Sequence, residues 1–204
     1  MGRPSEVTGE PHRLNTRMTM RSTLRFARFA ALAFVALTAT IAEAKLARTD
    51  AEPKVAFHAT GPAGMRIDGT TNELNVTDDG TTVKISVPLA KLDTKMDVRN
   101  KHMKEKYLEV QTYPTADLTL ARSALKLPAE GASSSGDAPG TMKIHGKDHA
   151  VTVHYAAGRS GGNITVKGTT AISIPDYGIT IPSYAGVTVK PDVTIEVEFV
   201  VKDN

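Results

Sequence analysis

The 204-residue chain contains 25 lysine and arginine residues, 22 aspartate and glutamate residues and no cysteine, and its formal net charge is +3. The absence of cysteine excludes disulfides, thiolate metal sites and cysteine nucleophiles. Residues 45–204 carry 19 basic and 19 acidic residues, so the positive charge belongs to the first 44 residues and no nucleic-acid ligand is expected, because nucleic-acid-binding proteins carry a basic surplus on one face.

The first 44 residues have the pattern of an export signal. An uncharged apolar segment, residues 29–42, is followed by a cleavage site of the small-x-small type that ends at Ala44. We therefore predict export to the periplasm with cleavage after Ala44. A transmembrane helix is the alternative, but the apolar segment is shorter than the ~20 residues that span a bilayer. The basic segment that precedes the apolar one contains Arg17, Arg21, Arg25 and Arg28.

Two further boundaries precede the folded domain. Residues 1–16 are polar and lie ahead of the basic segment, which makes Met18 or Met20 an alternative start site. Residues 45–53 are also polar and are expected to form a flexible N-terminal tail. The predicted domain therefore spans residues 54–204, a length that suffices for one hydrophobic core.

Alternation of apolar and polar residues predicts an all-β domain. About eight strands are expected, with no alternation of strands and helices, which favours an antiparallel barrel or sandwich. Small and polar residues between 127 and 139 predict a flexible loop, and a linker between two domains is the alternative. The predicted strands lie near residues 55–60, 65–76, 83–89, 115–122, 140–145, 149–155, 164–174 and 193–201.

One short helix is predicted between the third and fourth of these strands. Thr94 and Asp97 have the spacing of an N-terminal capping box. Arg99 and His102 place two basic side chains beside the apolar face of this helix. The plainest interpretation is that the Arg99 stem covers apolar surface while its head group stays in water, and that His102 is an exposed helix residue. The residues that share the apolar face are Met96, Arg99, Met103 and Tyr107.

The chemistry of the chain does not point to an enzyme. It lacks the G-x-S-x-G and H-E-x-x-H motifs and a phosphate-binding glycine loop. His102 with Asp97 or Glu105 is the only candidate cluster for a hydrolase or a redox enzyme. His145 and His149 flank a turn, but two histidines without a third ligand do not make a zinc site, so no metal is predicted.

The interior of the predicted barrel has two interpretations. A barrel of about eight strands either fills itself with side chains or holds one small ligand. The inward-facing aliphatic residues fit a packed core as well as a cavity wall, and periodicity does not distinguish the two.

Several spaced motifs resemble those of the YceI-like family. The family commonly carries D-T-G, R-D-x-H-L, F-F-D-V and Y-P-x-A or Y-P-x-I in this order, then a G-x-L-x-I-x-G hairpin and a D-Y/F-G-I connection. The resemblance covers about residues 54–202. The similar segments here are DT at 93–94, RNKHM at 99–103, YLEV at 107–110, YPTA at 113–116, GTMKIHG at 140–146 and DYGI at 176–179.

This resemblance implies a lipocalin-like antiparallel barrel of eight strands with a short inserted helix and a long apolar cavity for a polyisoprenoid or another amphiphilic lipid. Arg99 and His102 match the R-D-x-H motif at the barrel mouth and would meet the lipid head group, together with Tyr177 or Tyr184. The tail of the ligand would lie along Phe57, Ile67, Ile85, Val87, Leu118, Leu120, Ile144, Val153, Ile174, Val197 and Phe199.

The chain departs from the family pattern at three places near the predicted head group. Lys95 replaces the usual glycine, Asn100 replaces the usual aspartate, and Tyr107-Leu108 replaces the usual aromatic pair. These differences bear on head-group specificity more than on fold.

The expected function is that of a periplasmic carrier or sequestering protein for an isoprenoid-like lipid or quinone. No resident cofactor is expected, contact with the membrane is expected to be transient, and the protein is expected to be a monomer or a homodimer. The alternative is an envelope protein with a closed core that acts through protein partners and binds no small molecule.

Overall fold

The computed structural model describes residues 44–184 and 187–203, without the side chains of Tyr184 and Val187. The predicted export signal lies outside these residues, apart from Ala44 at its end. The strands are β1 (Leu46–Arg48), β2 (Lys54–Thr60), β3 (Arg66–Thr71), β4 (Asn75–Asp78), β5 (Thr82–Pro88), β6 (Thr115–Ala121), β7 (Ser133–Ile144), β8 (Lys147–Ser160), β9 (Asn163–Ser173), β10 (Ser183–Tyr184), β11 (Val187–Thr188) and β12 (Asp192–Asp203).

Helical structure is sparse in the described residues. One α-helix, α1 (Asp97–His102), continues into a π-helical turn (Met103–Tyr107). None of these helices has the length and apolar character that a membrane span requires. The 3₁₀ turns are Pro62–Gly64, Leu89–Lys91, Arg122–Ala124 and Ile174–Tyr177.

The main sheet is antiparallel throughout and curls into a half-barrel. Its strand order is β3-β2-β12-β9-β8-β7-β6-β5-β4, with β1 paired to β12 outside this path, and β10 and β11 form a separate two-stranded ribbon. The predicted all-β antiparallel fold with one short inserted helix is therefore confirmed. The strand count differs, because the strand predicted at 65–76 is two strands and because β1, β10 and β11 were not predicted.

The small and polar segment predicted as a loop at residues 127–139 is mostly strand. Strand β7 begins at Ser133 and pairs with β8 from Ser133 opposite Gly158 to Ile144 opposite Lys147. Ala138, in the middle of β7, is fully buried. The loop prediction was wrong because cross-strand packing outweighs the weak intrinsic preference of serine and glycine for strands.

The start of the expected N-terminal tail is also ordered by the sheet. Leu46 in β1 is buried, and its backbone N–H donates a 2.8 Å hydrogen bond to the Asp78 carboxylate at the end of β4. Arg122 forms an ion pair with the same carboxylate, and the Asp78 side chain is completely buried. These contacts link β1, β4 and the end of β6 at one end of the half-barrel.

Candidate functional site

An apolar cavity of about 750 Å³ occupies the other end of the half-barrel. Its wall is formed by inward-facing residues of β2, β5, β6, β7, β8, β9 and β12, and its opening by α1, the π-helical turn and the turns before β3 and β10. The size falls within the roughly 300–1,000 Å³ that is usual for small-molecule sites. The central lining residues are Val55, Phe57, Ile85, Val87, Ala116, Leu118, Met142, Ile144, Val153, Ile172, Ile195 and Val197.

The floor of the cavity is the packed core. Along β12, Val197 lines the cavity, whereas Phe199, two residues further on the same face, is 5% exposed and belongs to the core. Along β6, Leu118 lines the cavity and Leu120 lies in the core. Both rows therefore pass from cavity wall into core, so the half-barrel has both interiors that the sequence left open.

Most of the residues predicted along the ligand tail face this cavity. Leu120 and Phe199 do not, because they lie below its floor. Whether a ligand tail contacts the others stays a prediction. The predicted residues that line the cavity are Phe57, Ile67, Ile85, Val87, Leu118, Ile144, Val153, Ile174 and Val197.

Other lining residues escaped the sequence-based prediction. Ile172 and Ile195 share the strand parity of the predicted Ile174 and Val197, so the alternation would have identified them. Leu89, Leu92 and Ile179 lie in 3₁₀ turns or loops, where neither helical nor strand periodicity applies.

Phe57 reaches into the cavity wall because the neighbouring strand carries a glycine. Phe57 in β2 is paired with Gly69 in β3. A Cβ atom at position 69 would lie 2.1 Å from Cε1 of the Phe57 ring. The aromatic ring therefore occupies the space that any larger residue would need.

The opening of the cavity is lined by the helix that the sequence predicted. Met96, Arg99, Met103 and Tyr107, the four residues of its predicted apolar face, all line the cavity, as does His102. The Arg99 guanidinium donates a 2.8 Å hydrogen bond to Sδ of Met96, which holds the cation at the opening. Arg99 and His102 thus lie where the apolar wall meets solvent.

The loop that leads into α1 is organised by Asn100 and not by a capping box. The Asn100 amide donates to Asp93 Oδ1 at 2.8 Å, and its oxygen accepts the Thr94 backbone N–H and the Thr94 hydroxyl, each at 2.8 Å. The N-cap residue is Met96 and has no side-chain cap. The predicted capping box of Thr94 and Asp97 was wrong, because the Thr94 hydroxyl is already committed to Asn100.

Asp93 fastens this loop to the edge of the sheet. Its backbone N–H and C=O exchange two 2.9 Å hydrogen bonds with Thr70 in β3. Its carboxylate accepts from the Asn100 amide, the Lys95 ammonium and the Lys95 backbone N–H. These bonds, with that from Asn100 the strongest influence, hold the pKa of Asp93 well below its usual range.

The two buried threonines that line the cavity are already satisfied. Thr170 donates to the Thr152 carbonyl at 2.9 Å, and Thr94 donates to Asn100 as described above. Because buried hydroxyls with partners present little polar character to a ligand, the interior favours a hydrocarbon. A polar group of a ligand would find its partners at the opening.

Two tyrosines were predicted at the head group, and the structure describes the side chain of only Tyr177. Tyr177 is 1% exposed and does not line the cavity; its ring packs edge-on against His149, with ring centroids 5.0 Å apart. Its hydroxyl has no hydrogen-bond partner among the described residues. Burial, reinforced by the charge of Asp176, raises the pKa of Tyr177 to about 12. The Tyr184 side chain lies outside the described residues.

The histidines considered as metal ligands or catalytic groups do not form such sites in the described residues. Nδ1 of His145 lies 3.2 Å from the Tyr177 carbonyl, and the His145 ring packs against Tyr113. In the part of the chain that the structure describes, no group of three metal-ligating side chains converges. Nor does a hydrogen bond or ion pair join His102 to Asp97 or Glu105 in these residues.

A second, wider groove of about 1270 Å³ has a different character. Charged and polar residues such as Lys54, Asp137, His154, Lys167 and Glu196 form much of its lining. Because its wall is interrupted by these groups, it lacks the continuous apolar surface of the cavity beside α1.

The amino-acid sequence matches a protein-family model. The family model described as YceI-like domain matches residues 50–201. No curated protein sequence matches the chain at a significant level.

Solved structures show the same fold at low sequence identity. A polyisoprenoid binding domain from Saccharophagus degradans, implicated in plant cell wall breakdown, matches with a TM-score of 0.64 and 17% identity over 78% of this chain and 98% of that one. Burkholderia cenocepacia BcnA matches with a TM-score of 0.59 and 20% identity over 72% and 95%. A Campylobacter jejuni YceI protein matches with a TM-score of 0.52 and 15% identity over 67% and 84%.

Proposed function

The chain belongs to the YceI-like family, and we propose that it is an exported, periplasmic binding protein that carries or sequesters a polyisoprenoid or a similar amphiphilic lipid in its cavity. The observation that carries this proposal is the cavity of about 750 Å³ with an apolar wall and with Arg99 and His102 at its opening. The polyisoprenoid-binding neighbour from Saccharophagus degradans supports the same class of ligand.

Burial of hydrocarbon supplies the affinity in this proposal. Each CH₂ group removed from water contributes about 0.8 kcal/mol, so two or three isoprene units of about five carbons contribute roughly 8–12 kcal/mol before the costs of association. Arg99 and His102 contribute less, because polar contacts at a solvated opening are screened. Tail length therefore sets the affinity, and the opening selects the head group.

The packed floor limits the length of chain that fits. Leu120 and Phe199 close the cavity below Leu118 and Val197. A long polyprenyl chain would therefore fold back or leave part of its length at the opening. A short isoprenoid, such as the side chain of a quinone with few units, would fit completely.

Native mass spectrometry tests the proposal directly. The protein is purified from the periplasm without detergent, and its mass is compared before and after extraction with organic solvent. We expect a stoichiometric adduct with the mass of an isoprenoid lipid or quinone, which identifies the ligand. A clean apo mass that is unchanged by added isoprenoids would contradict the proposal and favour a protein that acts through protein partners.

A further inference from the structure

Three large apolar side chains are exposed at the opening of the cavity. Met65 is 52% exposed, Met96 52% and Val98 67%, and no other large apolar side chain described in residues 44–184 and 187–203 is exposed. All three line the cavity, and we call them the rim. Single exposed apolar residues are common on proteins, but here all of them surround one opening. This confinement indicates an interaction surface.

The rim is built from two separate parts of the chain. Met65 follows the 3₁₀ turn Pro62–Gly64, whereas Met96 is the N-cap of α1 and Val98 lies in its first turn. Local sequence effects therefore do not explain why these residues lie together. Their shared feature is the route into the cavity.

Basic residues accompany the rim. Residues 95–106 include five basic and two acidic side chains, a net charge of +3, although residues 45–204 as a whole are neutral. Within the described residues, neither Arg99 nor Lys101 forms an ion pair with a carboxylate. Lys101 is one helical turn from Val98, so the two side chains are neighbours on the helix surface. Cations therefore flank exposed apolar groups.

This combination fits the surface of an anionic bilayer better than a protein partner. Apolar side chains that enter the boundary between head groups and acyl chains, flanked by lysine and arginine, are typical of peripheral membrane binding. A stable protein interface usually buries about 800 Å² on each partner, far more than three side chains around an opening supply. Contact with a bilayer would also let an insoluble ligand pass between membrane and cavity without crossing water.

We propose that the rim, with Lys101 and Arg99 beside it, docks the protein on an anionic lipid bilayer with the cavity opening facing the membrane. The nature of the transferred ligand rests on the proposed function. The docking is a separate property and is measurable with empty protein.

Vesicle sedimentation tests the docking. The protein is used as cells process it, with the N-terminus of every variant verified by mass spectrometry, so that any preceding segment contributes equally. Binding is compared between phosphatidylcholine vesicles and vesicles that also contain roughly 30 mol % phosphatidylglycerol. The variants are Val98→Ser, Lys101→Gln and Lys126→Gln; Lys126 is an exposed lysine that does not line the cavity and serves as the matched control.

The expected result is preferential binding of the unmodified protein to anionic vesicles, weakened by salt. Lys101→Gln should reduce the partition coefficient roughly five-fold, Val98→Ser should reduce it by a similar factor, and Lys126→Gln should leave it unchanged. Absence of binding, equal binding to both vesicles, or equal effects of Lys101→Gln and Lys126→Gln would overturn the proposal.

A second measurement separates this inference from the proposed function. The transfer rate of a fluorescent isoprenoid from anionic vesicles and the amount bound at equilibrium in solution are measured for the unmodified protein and for Lys101→Gln, because Lys101 does not line the cavity. We expect slower transfer with unchanged equilibrium binding. Unchanged transfer would overturn the docking and leave the lipid-binding function intact. Vesicle docking without any isoprenoid uptake would overturn only the function.

Discussion

Asn100 donates a 2.8 Å hydrogen bond from its side-chain amide to the carboxylate of Asp93, seven residues earlier in the chain. The same side chain accepts both donors of Thr94, and Asp93 is bonded through its backbone to Thr70 in the edge strand β3. One amide therefore connects the start of α1, the loop before it and the edge of the sheet. This connection positions Thr94 and Met96 at the cavity opening.

Replacing Asn100 with aspartate, the usual residue in the R-D-x-H motif of the family, should reverse the pH dependence of the stability that this loop contributes. In the unmodified protein the pKa of Asp93 is lowered, chiefly by Asn100, so its contribution to stability is present above the ordinary aspartate pKa of about 4 and is lost as the pH falls further. In Asn100→Asp two carboxylates would face each other, and the pKa of one of them would rise. Stability should then increase as the pH falls through that raised pKa.

Urea unfolding between about pH 3 and pH 8 measures this reversal. Asn163→Asp is the matched control, because Asn163 is exposed at the start of β9 and the substitution changes the net charge equally. Parallel pH profiles for Asn100→Asp and Asn163→Asp would show that the Asp93 contact does not contribute.

The sequence predicted the wall of the cavity better than its ends. Period-two alternation identifies inward-facing residues such as Leu118 and Leu120 equally well, because both point to the same face of β6. Only the folded structure shows that the first contacts the cavity and the second the core. The depth of the floor depends on where side chains from all strands meet and fill the interior. The alternation pattern of a single strand does not predict that level.

The sequence also predicted the apolar face of the helix at the opening, but it did not predict how the helix begins. Helical periodicity placed Arg99 and Met103 on one face, and both line the cavity. The cap failed because Thr94, an ordinary cap residue, bonds to Asn100 six residues later. The sequence did not single out Met65, because only the folded structure brings it to the same cavity as the residues of α1.

Arg99→Ala should change head-group preference more than tail affinity. Arg99 lies at the opening and contacts Met96, whereas the wall below it is apolar. We expect roughly ten-fold weaker binding of a polyprenyl phosphate, since a hydrogen bond to a charged group contributes about 1.5 kcal/mol or more, and little change for the corresponding hydrocarbon. Equilibrium binding in solution without vesicles measures both affinities.

Lys101→Ala provides the control for this experiment. Lys101→Ala removes the same charge from the same helix, but Lys101 does not line the cavity. An equal loss of affinity for the phosphate and the hydrocarbon in Arg99→Ala, or an equal effect of Lys101→Ala, would show that Arg99 does not contact the head group.

Leu120→Ala should deepen the cavity. Leu120 is 4% exposed and lies one inward position below Leu118 on β6. Removing it should lower the free energy of unfolding by about 2–5 kcal/mol and open space into the core. If the floor limits tail length, the variant should bind an isoprenoid one unit longer than the best ligand of the unmodified protein.

The matched change is Val83→Ala on the neighbouring strand. Val83 is paired with Leu120 and is 3% exposed, but its smaller side chain leaves a smaller void. We expect Val83→Ala to shift the preferred length less than Leu120→Ala, as measured by competition among isoprenoids of graded length. An unchanged preference in a folded Leu120→Ala variant would mean that Leu120 does not set the floor.

Tyr177→Phe should stabilise the protein, most strongly at alkaline pH. The Tyr177 hydroxyl is buried without a partner in the described residues, and a buried unpaired hydroxyl costs about 1 kcal/mol or more, so its removal should raise the free energy of unfolding by about 1 kcal/mol at pH 7. Burial raises the pKa of Tyr177 to about 12. The folded state therefore retains this proton while the unfolded state loses it near pH 10.

The stability that the protonated Tyr177 contributes is present below about pH 10 and is lost as the pH rises toward 12, and Tyr177→Phe should lack this loss. Unfolding by urea between about pH 7 and pH 11 compares the two proteins. Tyr155→Phe is the contrasting variant, because the Tyr155 hydroxyl accepts a 2.7 Å hydrogen bond from the Lys126 backbone N–H and its removal should destabilise by about 1 kcal/mol. If Tyr177→Phe and Tyr155→Phe destabilise equally, then the Tyr177 hydroxyl has a partner in solution.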